Sequence, residues 1–485
     1  MSRSNSKNGV RASSAPSDQY ILLFLIAFRI VNALTVRTFF QPDEYFQSLE
    51  PAWQLAFGRE SHAWITWEWR ERLRSSIHPL LFAGVLRVSY TTAALACIFR
   101  PTNTIIWLVI AGYTLTNATR RERLALFPEA ILCGCAVMSI SLLADRYYYR
   151  VWTFPPLHFL QFNVVQSLSM FYGRNRPDYY LTEGFPLLLT TALPFAVAGA
   201  WRSLYLHWSR FANAGAGTGA RNAAFLVSQN LLFTFTIVVG VMAGMLSAIS
   251  HKEVRFIYPL LPLLHVLAAG PMTGFFAPSD RPRSPRNFLL VIVVICNITL
   301  AAYSTLVHQR GVVDVLSMLR SEYEGKLAAG FSSGSLATTS APRMTAAFLM
   351  PCHSTPWRSH IVYPGIKAWA LTCEPPLGLL LDERATYRDE ADQFYADPTN
   401  WLDANMHPVG SVAQSVDLSA ARRGEVKREN GRRMWPEYLV FFAQLEPLMR
   451  DYLFETSYTE CWRGFNSHWH DDDRRHGDVV VWCLR

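Results

Sequence analysis

The sequence predicts a mainly α polytopic membrane protein that closes with a C-terminal lumenal α/β domain, and three observations carry that prediction. Apolar runs recur through the first two-thirds of the 485 residues, each near the roughly twenty residues that a helix needs to cross hydrocarbon. Arginine clusters at 120–123, 202–221 and 281–286 interrupt those runs, the pattern of short cytosolic loops. From about residue 308 mixed polarity takes over, over a stretch long enough to bury a core of its own. The net charge is +8, but the arginines are scattered between apolar runs and no nucleic-acid-binding module is present. No nucleic-acid partner is expected.

Residues 1–19 are polar, Ser-rich and mildly basic. They read as a disordered cytosolic tail ahead of a retained anchor, since no cleavage-type flank follows the first apolar run. A multi-span membrane domain is placed at 20–307, with candidate spans at 20–36, 79–98, 102–118, 126–144, 185–201, 223–248, 255–272 and 288–307. Loops 36–78 and 145–184 are too polar and aromatic for hydrocarbon. The arginine clusters put both loops in the lumen, with the segment HKEVR (251–255) and the C-terminal domain at 308–485. Within that domain 404–434 is basic and reads as a mobile loop. The span count fails in one place. Two spans separate lumenal residue 78 from cytosolic residue 120, where an odd number is required, so a span is misplaced or membrane sequence is missing near 88–92.

Four of the eight cysteines lie in apolar runs and read as small packing residues. In a lumenal tail Cys352 can pair with Cys373 and Cys461 with Cys483, although sequence does not fix connectivity. Cys352 with His353 lacks the second ligand pair that zinc requires. His468, His470, Asp471 to Asp473, His476 and Asp478 are accounted for by a charged turn ahead of a terminal strand, Val479 to Trp482. No metal site is expected.

The chemistry concentrates in 36–78. That loop holds Pro42, Asp43 and Glu44, a ring-rich run of Trp64, Trp67 and Trp69 with Glu68 inside it, and several arginines. Pro42 suits the first position of a helix, which puts both acids in its first turn and Gln47 one turn beyond Asp43. Acids in a first turn also simply suit the helix dipole. Together with rings and cations beside a membrane, they point to a site for a charged, sugar-bearing lipid. In HKEVR, His251, Lys252 and Arg255 lie within about one helical turn and are placed to meet an anionic head group. The plainer alternative is a snorkelling boundary, against which stands the grouping of His, Lys, Glu and Arg in so short a segment.

Six ordered blocks between about residue 28 and 485 resemble one family. They are TFFQPDEYFQSLE with TWEWR, RVWTFPPLHFLQFNV with SLSMFYG, HKEVRFIYPLLPLL, MPCHSTPW with LTCEPPL, DEADQFYADPTNWL, and FNSHWHDDDRRHGD. Together they resemble the GPI mannosyltransferase III branch of glycosyltransferase family 22, whose membrane fold is of GT-C type. The chain departs from it twice. Membrane segments that the family carries between its HPLLFA-like and RPT-like stretches are missing here, at the place where the span count fails. The family's His-Trp-Tyr is here Asp178-Tyr179-Tyr180, which puts any role of that His in doubt.

The resemblance implies transfer of the third GPI mannose in α1,2 linkage. The donor would be dolichyl-phosphate mannose and the acceptor a GPI lipid precursor, at the endoplasmic reticulum membrane with a lumenal active site. A β-linked donor and an α product imply inversion, which needs a base on the acceptor hydroxyl and charge control on the departing phosphate. Asp43 is the first choice as base and Glu44 the second. Lys252 and Arg255, with His251, would meet the phosphate, while Arg37, Gln47, Trp67 and Glu68 would line the sugar site. No cofactor beyond the donor substrate is implied. The competing readings are a sibling mannosyltransferase of N-glycan precursor assembly, a lipid transporter, and a chain inactivated by the missing segment. The sibling should lack the MPCHSTP and FNSHWH blocks, and the transporter should show repeats and mid-membrane charges.

Overall fold

A computed structural model describes residues 18–35, 45–57, 63–75, 103–117, 119–166, 168–212, 223–277, 285–332, 342–377, 379, 381–384, 386–409 and 431–484. The tail 1–17, the expected span 79–98 and residues 410–430 of the basic loop lie outside the described residues, as do Arg37, Asp43 and Glu44.

Four of the described helical stretches are long and apolar enough to cross a membrane: Tyr180–Ser209, Ser228–Ala248, Val254–Phe276 and Pro285–Ala329. They coincide with the last four expected spans, and the chain is a multi-pass membrane protein. The first and third expected spans form the helices Asp18–Thr35 and Asn103–Asn117, whose apolar portions are shorter. The stretch 126–144 sits inside the longer helix Arg120–Tyr149, which continues past it into Asp145 and Arg146.

The helices Leu193–Ala212 and Leu261–Phe276 approach until a methyl group at Gly199 would lie 1.9 Å from the Leu267 carbonyl oxygen. Small residues allow such approaches between helices in lipid. Val238, Met242, Leu246, Ile257, Leu260 and Leu264 fill the space between these helices. The helix Pro285–Leu306 buries no residue, as expected of a helix facing lipid. After it the chain turns at Gln309, whose φ is 61° and whose N–H donates to the Asn466 carbonyl at 2.7 Å.

The helix Gly311–Ser332 then covers one face of a five-stranded mixed sheet. The strands are β1 (Met344–Phe348), β2 (Ile366–Ala370), β3 (Tyr438–Phe442), β4 (Tyr458–Ser467) and β5 (Gly477–Leu484), in the order β2-β1-β3-β5-β4. β1 is parallel to β2 and β3, whereas β5 runs antiparallel to β3 and β4. β3 reads YLVFF without a polar break because both of its faces are buried. Tyr438, Val440 and Phe442 meet Val312, Val315, Leu316 and Leu319, which recur at helical spacing. Leu439 and Phe441 face Phe394, Leu402 and Met449 on the other side.

Cys352–Cys373 joins the loops that follow β1 and β2, and Cys461–Cys483 ties β4 to β5, each with Cα atoms 5.8 Å apart. Both pairings that the sequence offered are made. Phe46 belongs to the same core as the sheet, with its ring centroid 4.3 Å from that of His353 and 5.4 Å from that of Trp64. The first loop is therefore packed into the C-terminal unit.

Candidate active site

The stretch after the two acids starts as a π-helical turn, Tyr45–Leu49, and continues as the α-helix Glu50–Phe57. Two more π-helical turns, Gln161–Val165 and Tyr180–Gly184, occur in the second loop region. Such turns are rare and concentrate where a helix must re-aim side chains at functional sites.

Gln47 leaves the first of these turns toward two cations. Its side-chain oxygen accepts from Arg74 Nη2 at 3.0 Å and from Arg255 Nη1 at 3.2 Å, the amide orientation that two donors require. Arg74 also donates to Glu68 Oε1 at 3.0 Å. Arg255 is paired on its other side with Glu253, donating from Nη2 at 2.8 Å, and Glu253 is 2.9 Å from His251 Nε2. A continuous polar chain, Glu68–Arg74–Gln47–Arg255–Glu253–His251, thus joins three stretches far apart in sequence. Burial pushes the Glu253 carboxyl up, but the His251 hydrogen bond and the Arg255 charge outweigh it and hold the group down to about 2. His251 Nδ1 faces the Gly173 carbonyl at 3.2 Å. Both ring nitrogens therefore face oxygen atoms.

Lys252 is held differently. Its backbone N–H donates to Asn175 Oδ1 at 2.8 Å, while its ammonium has the Asn175 carbonyl at 3.4 Å. No carboxylate pairs with it among the described residues. The side chain is 4% exposed, and burial with the nearby Arg174 charge pulls its ammonium below the usual range. A covered cation with no anion of its own has capacity left for an incoming anion.

Trp67 is 7% exposed and packs against Phe162, with ring centroids 5.0 Å apart, in a cluster with Leu73 and Leu168. The structure thus joins Gln47 and Glu68 to Arg255 and His251, sets Lys252 beside them on the same segment, and places Trp67 in the packing below Glu68. Arg37, Asp43 and Glu44 lie outside the described residues.

Sequence reasoning missed the residues that hold this arrangement. Arg74, Glu253 and Asn175 carry no motif of their own. Tyr149 fixes the loop by donating to the Arg74 carbonyl at 2.6 Å, and the buried Asp145 accepts from Ser75 at 3.4 Å and Ser141 at 3.3 Å. Glu50 is fully buried and accepts from the Trp64 N–H at 3.1 Å and from both the Ser359 N–H and hydroxyl at 3.0 Å. That carboxylate fastens the first loop to the C-terminal unit. Its burial pushes the carboxyl above its usual range against these hydrogen bonds.

Cys352, His353 and Cys373 come close enough to hold an ion, but the two sulfurs are bonded to each other and offer no thiolate. The acids and histidines at 468–478 make a tight turn. Asp472 accepts from Arg474 Nε at 2.9 Å, Arg474 reaches Asp392 at 2.8 Å, and His470 Nδ1 accepts the Asp472 N–H at 2.9 Å.

The model of the Alg9-like mannosyltransferase family matches residues 20–92 and 86–362. The chain belongs to the Alg9-like mannosyltransferase family. It is 42% identical over 567 residues to GPI mannosyltransferase 3 of Emericella nidulans, covering 100% of this chain and 83% of that protein. It is 33% identical over 615 residues to GPI mannosyltransferase 3 of Gibberella zeae, covering 96% and 94%. A mouse protein, GPI alpha-1,2-mannosyltransferase 3, is 27% identical over 568 residues, covering 98% and 90%. No solved structure matches. The alignment to the Emericella nidulans family member spans 567 residues against a chain of 485, so stretches of that relative have no counterpart here. The two pieces of the family match meet at 86–92, where the span count failed.

Proposed function

We propose that this mannosyltransferase adds the third, α1,2-linked mannose of the GPI core to the two-mannose lipid precursor, taking it from dolichyl-phosphate mannose on the lumenal face of the endoplasmic reticulum membrane. The observation that carries the reading is the Arg74–Gln47–Arg255 junction. It brings the cationic segment 251–255 to a side chain three residues after Glu44. The acceptor 2-hydroxyl attacks the anomeric carbon of the donor and gives its proton to Asp43, with Glu44 as the second choice. The bond from that carbon to the phosphate oxygen breaks with inversion. The dolichyl phosphate leaves toward Lys252 and Arg255, whose charges offset its own, with the His251 ring beside them. Lys252 has no competing carboxylate among the described residues and is the cation most available to it. The two disulfides suit an oxidising lumen, and the printed names of the relatives support the GPI precursor as acceptor.

The test is expression in cells that lack their third GPI mannosyltransferase, scored by the GPI precursor lipids. The wild-type chain should convert the two-mannose intermediate to three mannoses, and Asp43→Asn should not. Equal rescue by both would remove Asp43 as base. Accumulation of the two-mannose lipid despite wild-type protein in the membrane would contradict the acceptor assignment.

A further inference from the structure

An open cleft of about 280 Å³ lies in the C-terminal unit, lined by Thr372, Glu374, Tyr387, Glu390, Gln393, Trp401 and Asn405, none of which belongs to the polar chain. Two short helices supply most of it, Glu390–Ala396 and Pro398–Asn405, each started by an aspartate cap at Asp389 or Asp397. Its charges are balanced. Glu390 accepts from the Thr372 N–H and hydroxyl and pairs with Arg433 at 2.7 Å, while Glu374 pairs with Arg70. Among the described residues no basic side chain lines it, and these carboxylates make it a poor match for a phosphate.

Its free capacity is for hydroxyl groups. Gln393 Nε2 donates to the Arg388 carbonyl at 2.8 Å and Asn405 Nδ2 to the Trp401 carbonyl at 2.9 Å. Both amide oxygens are left without a protein partner among the described residues. The Tyr387 hydroxyl donates to the Glu374 carbonyl at 2.9 Å, which keeps its lone pairs available, and Glu374 is about half exposed. A mostly polar cleft with free acceptors and paired charges fits the hydroxyls of a neutral polyhydroxylated ring.

The cleft also borders the candidate active site. Arg70, which pairs with Glu374, ends the helix Trp67–Arg70 that carries Glu68. Leu377 packs against the Trp67 cluster, and the Tyr387 ring meets Phe171 of the second loop with centroids 5.7 Å apart. We propose that this cleft is a sugar subsite that holds a neutral ring of the acceptor's glycan while its terminal mannose reaches the polar chain, a reading that rests on the glycolipid acceptor proposed above.

The experiment uses the full chain in membranes, with GPI precursor glycolipid varied at saturating dolichyl-phosphate mannose. Gln393→Ala and Asn405→Ala should each raise the acceptor KM by up to about tenfold, the worth of one hydrogen bond, with kcat and donor KM unchanged. Gln393→Trp, at an exposed position, should fill the cleft and raise acceptor KM further. Acceptor KM within twofold of wild type in all three variants would overturn the subsite while leaving the transferase reading in place. A second measurement needs no turnover: saturation-transfer NMR with the water-soluble glycan of the acceptor. Binding to wild type that is lost in Gln393→Trp supports the subsite whichever lipid the enzyme extends. Absence of binding, or binding indifferent to Gln393→Trp, overturns it.

Discussion

Glu253 and Glu50 are both joined to the stretch 45–57, Glu50 as a member of it and Glu253 through Arg255 and Gln47, yet their surroundings differ in kind. Glu50 is fully enclosed and meets backbone N–H groups and a serine hydroxyl, donors that belong to the fold. Glu253 keeps about a quarter of its side chain exposed and meets the His251 ring and the Arg255 guanidinium. The first arrangement fastens one part of the chain to another. The second orders a cation, holding Arg255 between Glu253 and Gln47. The same residue type thus acts as a fastener in one region and as an electrostatic template in the other.

Removing the charge at the template should have the largest effect on transfer. Arg255→Leu leaves Glu253 with one partner and Gln47 with one donor, and transfer should fall by about 100-fold or more, the usual loss when a charge-stabilising donor is removed. Initial rates in membranes with matched protein levels would show it. A loss below fivefold would place Arg255 with the fasteners.

The converse substitution, Glu50→Ala, should act on stability. It orphans two backbone donors at a buried position, at a cost of about 3 kcal/mol, read as a lower melting temperature. The surviving folded fraction should keep wild-type kcat. A kcat loss without melting change would reverse the two roles.

The pH responses sharpen the contrast because the shifts have opposite signs. Glu253 is held below the ordinary carboxyl value, so its contribution is complete above about 4.5 and is lost as pH falls toward about 2. Glu50 is raised, so its contribution is complete below that ordinary value and is lost as pH rises through its folded-state value. Glu253→Gln should therefore lose least stability at the acid end, and the penalty of Glu50→Gln should shrink as pH rises. Parallel melting curves for both variants against pH would remove the distinction.

His470 gives the smallest effect. It accepts a backbone N–H as Glu50 does, and burial together with the Arg475 charge lowers its pKa to about 4. A lowered histidine destabilises the fold as pH falls from about 6.5 toward 4. His470→Asn keeps an acceptor without a proton to gain. The melting temperature of wild type relative to this variant should be flat above 6.5 and decline below it, and a flat difference throughout would contradict the assignment.

The template and the fastener also differ in how far they could be read from sequence. The helices at 193–212, 223–247, 261–276 and 285–306 were legible as apolar runs, and the failed span count at 88–92 matches the break in the family match. The apolar strand Val479 to Trp482 and both cysteine pairs were legible too. The chemistry of HKEVR could be named, but Glu253 appeared there as one more charge. Its part depends on Arg255 turning back toward it, and a linear spacing does not encode that turn. The Arg74–Gln47–Arg255 junction joins the loop 36–78 to the distant segment 251–255, and neither carries a signal for the other. Glu50 carried no sequence signal because its donors come from the backbone of Trp64 and from Ser359. That Trp67 packs against Phe162 was not legible either, because residue type does not show which neighbour meets a ring.

Lys252→Met tests the central claim most directly. The covered ammonium has no carboxylate partner among the described residues, so replacing it with an apolar side chain of similar length relieves a desolvation cost. If Lys252 is there to meet the donor phosphate, the variant should melt at or above the wild-type temperature while transfer from dolichyl-phosphate mannose falls by about 100-fold. A variant that melts lower and transfers at the wild-type rate per folded molecule would contradict the account.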